Sequence, residues 1–255
     1  REWTPGQFGQ FMYLFSVSAL LMLACEFGFT QQILREIGKE PSAASQLMSR
    51  YLGAKLWLTA GTVAMACVFA WISSLNAEDC VVLAELILAA LLMSYADFLM
   101  TCFRAMGHFG EEAAITVLGN LIYFGCACVA LYTTGSPWLV ALGMLAARLI
   151  QLTMTWRTFK QRVPTPITPD LSAKDCWTTI KASSAYGADV GISAAFSNAD
   201  TVLIAHILGA ESVGIYQSIA RIYQGATLMP AIMGSLFLPR LARTLDNHQQ
   251  FTKNA

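Results

Sequence analysis

Two arginines lie inside long apolar stretches of this sequence. Arg148 falls near the middle of one stretch, and Arg221 lies about two helical turns inside another. Gln217, Arg221 and Gln224 are spaced i, i+4, i+7 and form one stripe on a helix, and Gln151 follows Arg148 at i+3. Arginine is the side chain expected for a phosphate-bearing ligand, because its planar guanidinium pairs bidentately with phosphate oxygens. A buried structural ion pair is the alternative. For Arg148 both interpretations, phosphate binding and an ion pair, stay open.

Three aspartates also fall within apolar stretches. Asp189 and Asp200 are 11 residues apart, close to three full turns, so they share a helix face. A polar stripe of that length indicates a water-filled cavity, whereas hydrogen bonding between neighbouring helices is the alternative explanation. Both remain open for this pair. Asp97, in a separate stretch, is placed to pair with either arginine.

Three further charges lie close to the ends of apolar stretches. Glu26, Lys55 and Lys181 fall within about two turns of a predicted span end, where long side chains reach the lipid headgroups. We therefore expect these three side chains to snorkel to the membrane surface.

The remaining residues exclude several classes of function. The sequence contains no Gly-rich phosphate loop, no Cys/His metal spacing and only three histidines, so neither an enzyme nor a bound cofactor is expected. The net charge is zero, which argues against a nucleic-acid partner. The seven cysteines mostly fall inside apolar runs and are interpreted as packing residues.

The elements that carry these residues are membrane-spanning helices. Hydrophobic residues make up 56% of the chain and charged residues 13%, whereas soluble domains are about a quarter charged. A bilayer core requires roughly 20 apolar residues in helix, and about seven stretches meet this requirement. They are A (Gly9–Phe27), B (Leu52–Leu75), C (Val81–Phe103), D (Ala114–Leu131), E (Trp138–Trp156), F (Ala182–Leu208) and G (Gly214–Leu238).

Basic residues occur in every second loop between these spans. The A–B, C–D and E–F loops and the C-terminal tail together hold 11 basic residues besides Lys181, which directly precedes span F, whereas the B–C, D–E and F–G loops hold none. Basic residues favour the cytoplasmic side. The sequence therefore predicts an N-terminus outside and a C-terminus in the cytoplasm.

Spans A and G begin with similar motifs. Phe8-Gly9-Gln10-Phe11 opens span A and Val213-Gly214-Ile215-Tyr216 opens span G; each glycine precedes an arginine by 26 residues, Arg35 and Arg240 respectively. The two spans run in the same predicted direction, six spans apart. This pattern predicts a parallel six-helix repeat, in which another helix precedes Arg1.

Several segments resemble polysaccharide-export flippases, the Wzx-type branch of the MOP (MATE-like) superfamily. Asn198–Tyr216 is similar to the family's junction between the first two helices of a lobe, and Leu238–Arg243 to its end of helix eight. Pro5–Phe11 resembles the start of helix two, and Arg104–Phe109 the loop between helices four and five. The resemblance implies an all-α, two-lobe bundle. Family members usually have twelve or more helices, so it implies that this chain is a fragment.

The resemblance assigns parts of the chain to the two lobes. Residues 1–156 would hold helices two to six of the first lobe, and residues 157–178 the cytoplasmic linker. Residues 179–255 would begin the second lobe with helices seven and eight and end in a cytoplasmic tail.

The resemblance also implies a cargo, an oligosaccharide on a polyprenyl pyrophosphate. Arg148, Arg221, Gln217 and Gln224 would bind its headgroup while the lipid tail stays among the membrane lipids, and rocking of the lobes would carry it across the cytoplasmic membrane. Protons or sodium ions would couple through the aspartates at positions 97, 189 and 200. The alternatives are a multidrug cation antiporter of the same superfamily, a seven-helix receptor-like protein and a structural fragment without transport activity.

Overall fold

The computed structural model describes residues 3–39, 43–162 and 168–226, and these contain helices and short turns but no strand. Loops of only a few residues join most of the helices. The helices are α1 (Pro5–Glu26), α2 (Phe29–Lys39), α3 (Ala44–Ile72), α4 (Ala77–Ala105), α5 (Phe109–Thr134), α6 (Pro137–Arg162), α7 (Ala173–Leu208) and α8 (210–226).

The helical membrane architecture is confirmed. Within the described residues five helices are long and apolar enough to span a bilayer, with α1 and α2 taken together as one of them, or six if the bent α7 is one span. Helix α7 bends by 46° between Ser193 and Asn198. Span G is described only to residue 226, so the predicted total of seven spans and the predicted cytoplasmic tail cannot be compared with the described residues.

The segment predicted as the A–B loop contains a helix, α2. Phe29, Ile33 and Ile37 recur every four residues and are buried, whereas Arg35 and Lys39 are exposed. This amphipathic pattern explains why the segment is helical although by itself it is too polar to be identified as an apolar span. Between α1 and α2, Phe27 and Gly28 adopt positive φ angles of 34° and 68°, which end α1 and redirect the chain.

The turns that lack basic residues gather at one end of the bundle. The indole of Trp3 donates a 2.7 Å hydrogen bond to the carbonyl of Gly135 in the α5–α6 turn. The amide of Gln10 donates to the carboxylate of Asp79 at the start of α4, at 3.1 Å. The N-terminal segment therefore lies with the α3–α4 and α5–α6 turns.

The basic segments gather around the opposite helix ends. Arg104 and Arg162 form ion pairs with Glu112 and Glu111, the acidic residues in the first turn of α5. The guanidinium of Arg50 donates hydrogen bonds to the hydroxyls of Thr178 and Thr179 on α7, at 3.0 and 2.8 Å. This grouping agrees with the predicted alternation of loops, and the orientation in the membrane stays a prediction.

Helices α1 and α8 meet at the two glycines that the repeat pattern pairs. A Cβ atom added to Gly9 would overlap the carbonyl oxygen of Ala210, and one added to Gly214 would overlap the carbonyl oxygen of Pro5. The backbones therefore touch where both helices begin, and only glycine permits this approach. The six-helix repeat itself stays a prediction.

Labelling of substituted cysteines tests the orientation. In a background that lacks the native cysteines, a membrane-impermeant maleimide applied to intact cells should label Pro137→Cys and Ala210→Cys. It should label Lys174→Cys only after the membrane is opened, because that residue lies in a basic segment. Labelling of Lys174→Cys in intact cells would contradict the orientation.

The Gly9 contact makes a prediction about stability. Gly9→Ala places a methyl group on the Ala210 carbonyl, and overpacking of this kind costs about 1–3 kcal/mol. We expect the purified protein to lose several degrees in apparent melting temperature. The matched control is Gly6→Ala, one turn earlier on α1, where a Cβ has no neighbour within 4 Å. Equal melting temperatures for the two variants would show that α1 and α8 do not touch.

Candidate functional site

Arg148 is buried on α6 and is held by uncharged groups. Its Nη1 atom donates hydrogen bonds to Oδ1 of Asn120, at 3.1 Å, and to Oε1 of Gln151, at 2.5 Å. The guanidinium carbon lies 4.1 Å from the ring centroid of Tyr123. No ion pair of Arg148 with a carboxylate occurs among the described residues. The expected alternative, a tight pair with Asp97, is therefore not formed in this structure.

Arg221 lies on the exposed side of α8. Its guanidinium carbon is 5.7 Å from the ring centroid of Phe15 on α1, and its Nη1 atom donates to Oε1 of Gln224 at 3.3 Å. In the part of the chain that the structure describes, it has no ion pair either. Both guanidinium groups are close enough to the Tyr123 hydroxyl to interact with it electrostatically. The set Arg148, Arg221, Tyr123 and Phe15 is called the arginine site below.

A large apolar cavity lies between α1, α5, α6 and α8. Its volume is about 740 Å³, within the range of small-molecule sites. Several aromatic side chains lie in its wall, and two of them, Phe124 and Tyr132, are largely exposed. The aromatic lining residues are Trp3, Phe8, Phe11, Phe124 and Tyr132.

The arginine site continues this cavity on each helix. Met144 and Ser218 line the cavity, and Arg148 and Arg221 follow them at i+4 and i+3, which places each arginine one turn further from the helix start. Phe15 likewise follows Phe11 by one turn of α1. Two cations thus lie one turn beyond the apolar cavity, and the arrangement suits an amphipathic anion.

The predicted stripe of Gln217, Arg221 and Gln224 does not face a single site in the structure. Gln224 stays beside Arg221, but Gln217 is buried and its amide donates to the hydroxyl of Thr201 on α7. The Oε1 atom of Gln217 is buried and has no hydrogen-bond partner within the described ranges. Gln217 therefore belongs to the contact between α7 and α8, and of the two predicted glutamines only Gln224 accompanies the arginine site.

Asp200 and Asp189 have different surroundings. Asp200 accepts hydrogen bonds from the hydroxyl of Tyr216 on α8 and from the backbone amide of Thr201, the latter at 2.7 Å. This is the interhelical hydrogen bonding that the sequence left as an alternative. Asp189 is exposed on α7, on the other side of the bend.

Asp97 lines a second, polar cavity of about 270 Å³ at the end of the bundle near the basic segments. Lys55 lies in the same cavity and is only 3% exposed, so the expectation that it snorkels is wrong. Helix α3 begins at Ala44, eight residues before predicted span B, so Lys55 lies about three turns inside the helix. The sequence gives no signal of this extension, because the residues between Ala44 and Leu52 are too polar to be recognised as part of an apolar span.

Comparison with known proteins identifies the family. The family model described as polysaccharide biosynthesis protein matches residues 1–248. No curated protein and no solved structure matches the chain. Because the match covers almost the whole chain and the helices are those of a multi-pass membrane protein, the resemblance noted from the sequence is confirmed. The chain belongs to the polysaccharide biosynthesis protein family, which comprises Wzx-type polysaccharide and O-antigen flippases of the MOP superfamily.

Proposed function

We propose that the protein moves a lipid-linked oligosaccharide across the cytoplasmic membrane by alternating access. The observation that carries the proposal is that the two arginines lie one turn beyond the apolar cavity, on helices that line it. A polyprenyl pyrophosphate combines an apolar chain with a doubly phosphorylated headgroup. The two arginines match the headgroup, and the cavity matches the part of the chain next to it, while the rest of the chain stays among the membrane lipids. The family supports a polysaccharide-linked lipid as the cargo class and a transporter rather than an enzyme.

The two arginines have distinct roles in this proposal. Arg148 is fixed by Asn120, Gln151 and the Tyr123 ring, so its remaining guanidinium donors have a defined direction. Arg221 is exposed and bonded only weakly to Gln224, so it is free to turn toward an arriving headgroup. A fixed and an adjustable cation together bind the two phosphates of the headgroup.

A cation antiporter of the same superfamily is the second candidate. It requires a cavity dominated by carboxylates, and the exposed Asp189 is the observation in its favour. The wall of the large cavity contains no carboxylate among the described residues, and two arginines lie beyond it. The polysaccharide-lipid cargo is therefore the better match. Asp97, Asp189 and Asp200 remain the proposed residues for coupling to protons or sodium ions.

Substitution of Arg221 tests the headgroup site. In the full-length protein, Arg221→Ala should reduce export of lipid-linked sugar by roughly tenfold or more, the equivalent of about 1.4 kcal/mol of lost binding. Arg221→Lys should restore part of the export, because an ammonium keeps the charge but loses the bidentate geometry. Arg157→Ala, at the exposed end of α6, is the matched control and should export normally. Normal export by Arg221→Ala at normal membrane levels would exclude Arg221 from the headgroup site.

Substitution of Arg148 separates binding from structure. Arg148→Lys keeps a charge at this position but loses the stacking on Tyr123 and one of its two amide contacts, so we expect export to fall by roughly tenfold. The amount of protein in the membrane and its melting temperature should stay near the unsubstituted values. Arg162→Lys, which keeps an exposed ion pair with Glu111, is the control. If Arg148→Lys instead lost much of its stability, and its export fell only as far as its amount in the membrane, Arg148 would be a structural residue.

A further inference from the structure

The polar cavity around Lys55 encloses a buried cation without an ionic partner. The Nζ atom of Lys55 donates a 2.6 Å hydrogen bond to Oγ of Ser94 and lies 5.4 Å and 5.9 Å from the ring centroids of Tyr95 and Phe98. No ion pair joins it to a carboxylate in the ranges the structure describes. An ionisable group at such a depth is expensive, and groups of this kind mark functional sites in membrane bundles.

Asp97 shares this cavity with Lys55 but does not contact it directly. The two groups interact electrostatically across a space large enough for several water molecules. The ion pair of Arg104 with Glu112 lies in the cavity wall where α4 ends and α5 begins, and the Arg104 side chain is 42% exposed. The other titratable or charged groups that face the pair are Cys25 and Glu26 of α1 and Arg148 of α6.

We propose that Lys55 and Asp97 form a proton-exchange site that opens at the Arg104–Glu112 end of the cavity. One proton enters through this end and binds the Asp97 carboxylate, so the net charge of the pair changes from zero to plus one. The proton leaves by the same atom when the carboxylate is restored. This inference deepens the proposed function, because it assigns the coupling ion to one of the three aspartates.

The lysine favours a proton over a sodium ion at this site. A sodium ion bound to Asp97 would lie in the same small cavity as the Lys55 ammonium, and two like charges repel strongly where the surroundings are apolar. The Ser94 hydroxyl, one of the oxygens in the cavity wall, already accepts a hydrogen bond from Lys55. A proton neutralises the carboxylate without bringing a second cation into the space.

The cavity also borders the break between α1 and α2. Glu26 ends α1, Phe29 and Thr30 begin α2, and all three line the cavity. The intervening Gly28 is packed on the backbone of α7, where a Cβ would overlap Tyr186. Helix α1 meets α8 at its other end, at Gly9. A change of charge in the cavity therefore acts on a helix that contacts both α7 and α8.

Infrared difference spectroscopy tests the site on the full-length protein in liposomes without cargo. As the pH is lowered a carboxyl C=O band should appear, and it should disappear again when the pH is raised. Asp97→Asn should remove this band, and Glu78→Gln, an exposed carboxyl at the other end of α4, should keep it. In Lys55→Met the midpoint should rise by about one pH unit or more, because the ammonium that favours the carboxylate is gone. Lys181→Met, at an exposed lysine, should leave the midpoint unchanged.

Three outcomes would overturn the proposal. They are a band that survives in Asp97→Asn, an unchanged midpoint in Lys55→Met, and a midpoint that falls when sodium replaces choline at constant ionic strength. If Lys55→Met does not accumulate in the membrane, the Asp97→Asn and sodium measurements still test the proton-exchange site. Since no cargo is present, failure here leaves the arginine site untouched, and failure of the export tests leaves the proton site untouched.

Discussion

A charge inside an apolar bundle must be solvated by the protein, and this constraint explains the contacts of the two buried cations. Arg148 is surrounded by a ring face and two side-chain amides, and Lys55 by a hydroxyl and two ring faces. Neither has a carboxylate partner in the described residues. Aromatic faces and neutral acceptors lower the cost of the buried charge and leave it able to bind an anion or to respond to a proton.

Helix α1 connects the two places where this constraint operates. Its first turns contact α8 at Gly9, its middle presents Phe15 to Arg221, and its last residue, Glu26, lies in the cavity of Lys55. The left-handed conformation at Gly28 ends the helix where it packs on α7. A movement of α1 as a rigid unit would therefore change both the arginine site and the proton site, which is the property that coupled transport requires.

The sequence was informative where a pattern repeats over many residues. Hydropathy located the long helices. The Gly9 and Gly214 motifs predicted a repeat, but they gave no indication that the two backbones touch. It failed for α2, whose apolar residues form only one face, and for Lys55, because the extension of α3 back to Ala44 runs through polar residues. It also grouped Gln217 with Arg221, since a helical stripe does not specify which neighbouring helix each residue faces. These outcomes depend on tertiary packing, which helical periodicity does not encode.

The separation of the two charged sites has a consequence for the transport cycle. Asp97 interacts electrostatically with both Lys55 and Arg148, so this carboxylate links the proton site with the headgroup site. Protonation of Asp97 removes a negative charge near Arg148 and makes that arginine more attractive to a phosphate. By thermodynamic linkage, a bound pyrophosphate must then favour a protonated Asp97 to the same extent. Cargo and proton would accordingly bind together, and release of one would weaken the hold on the other.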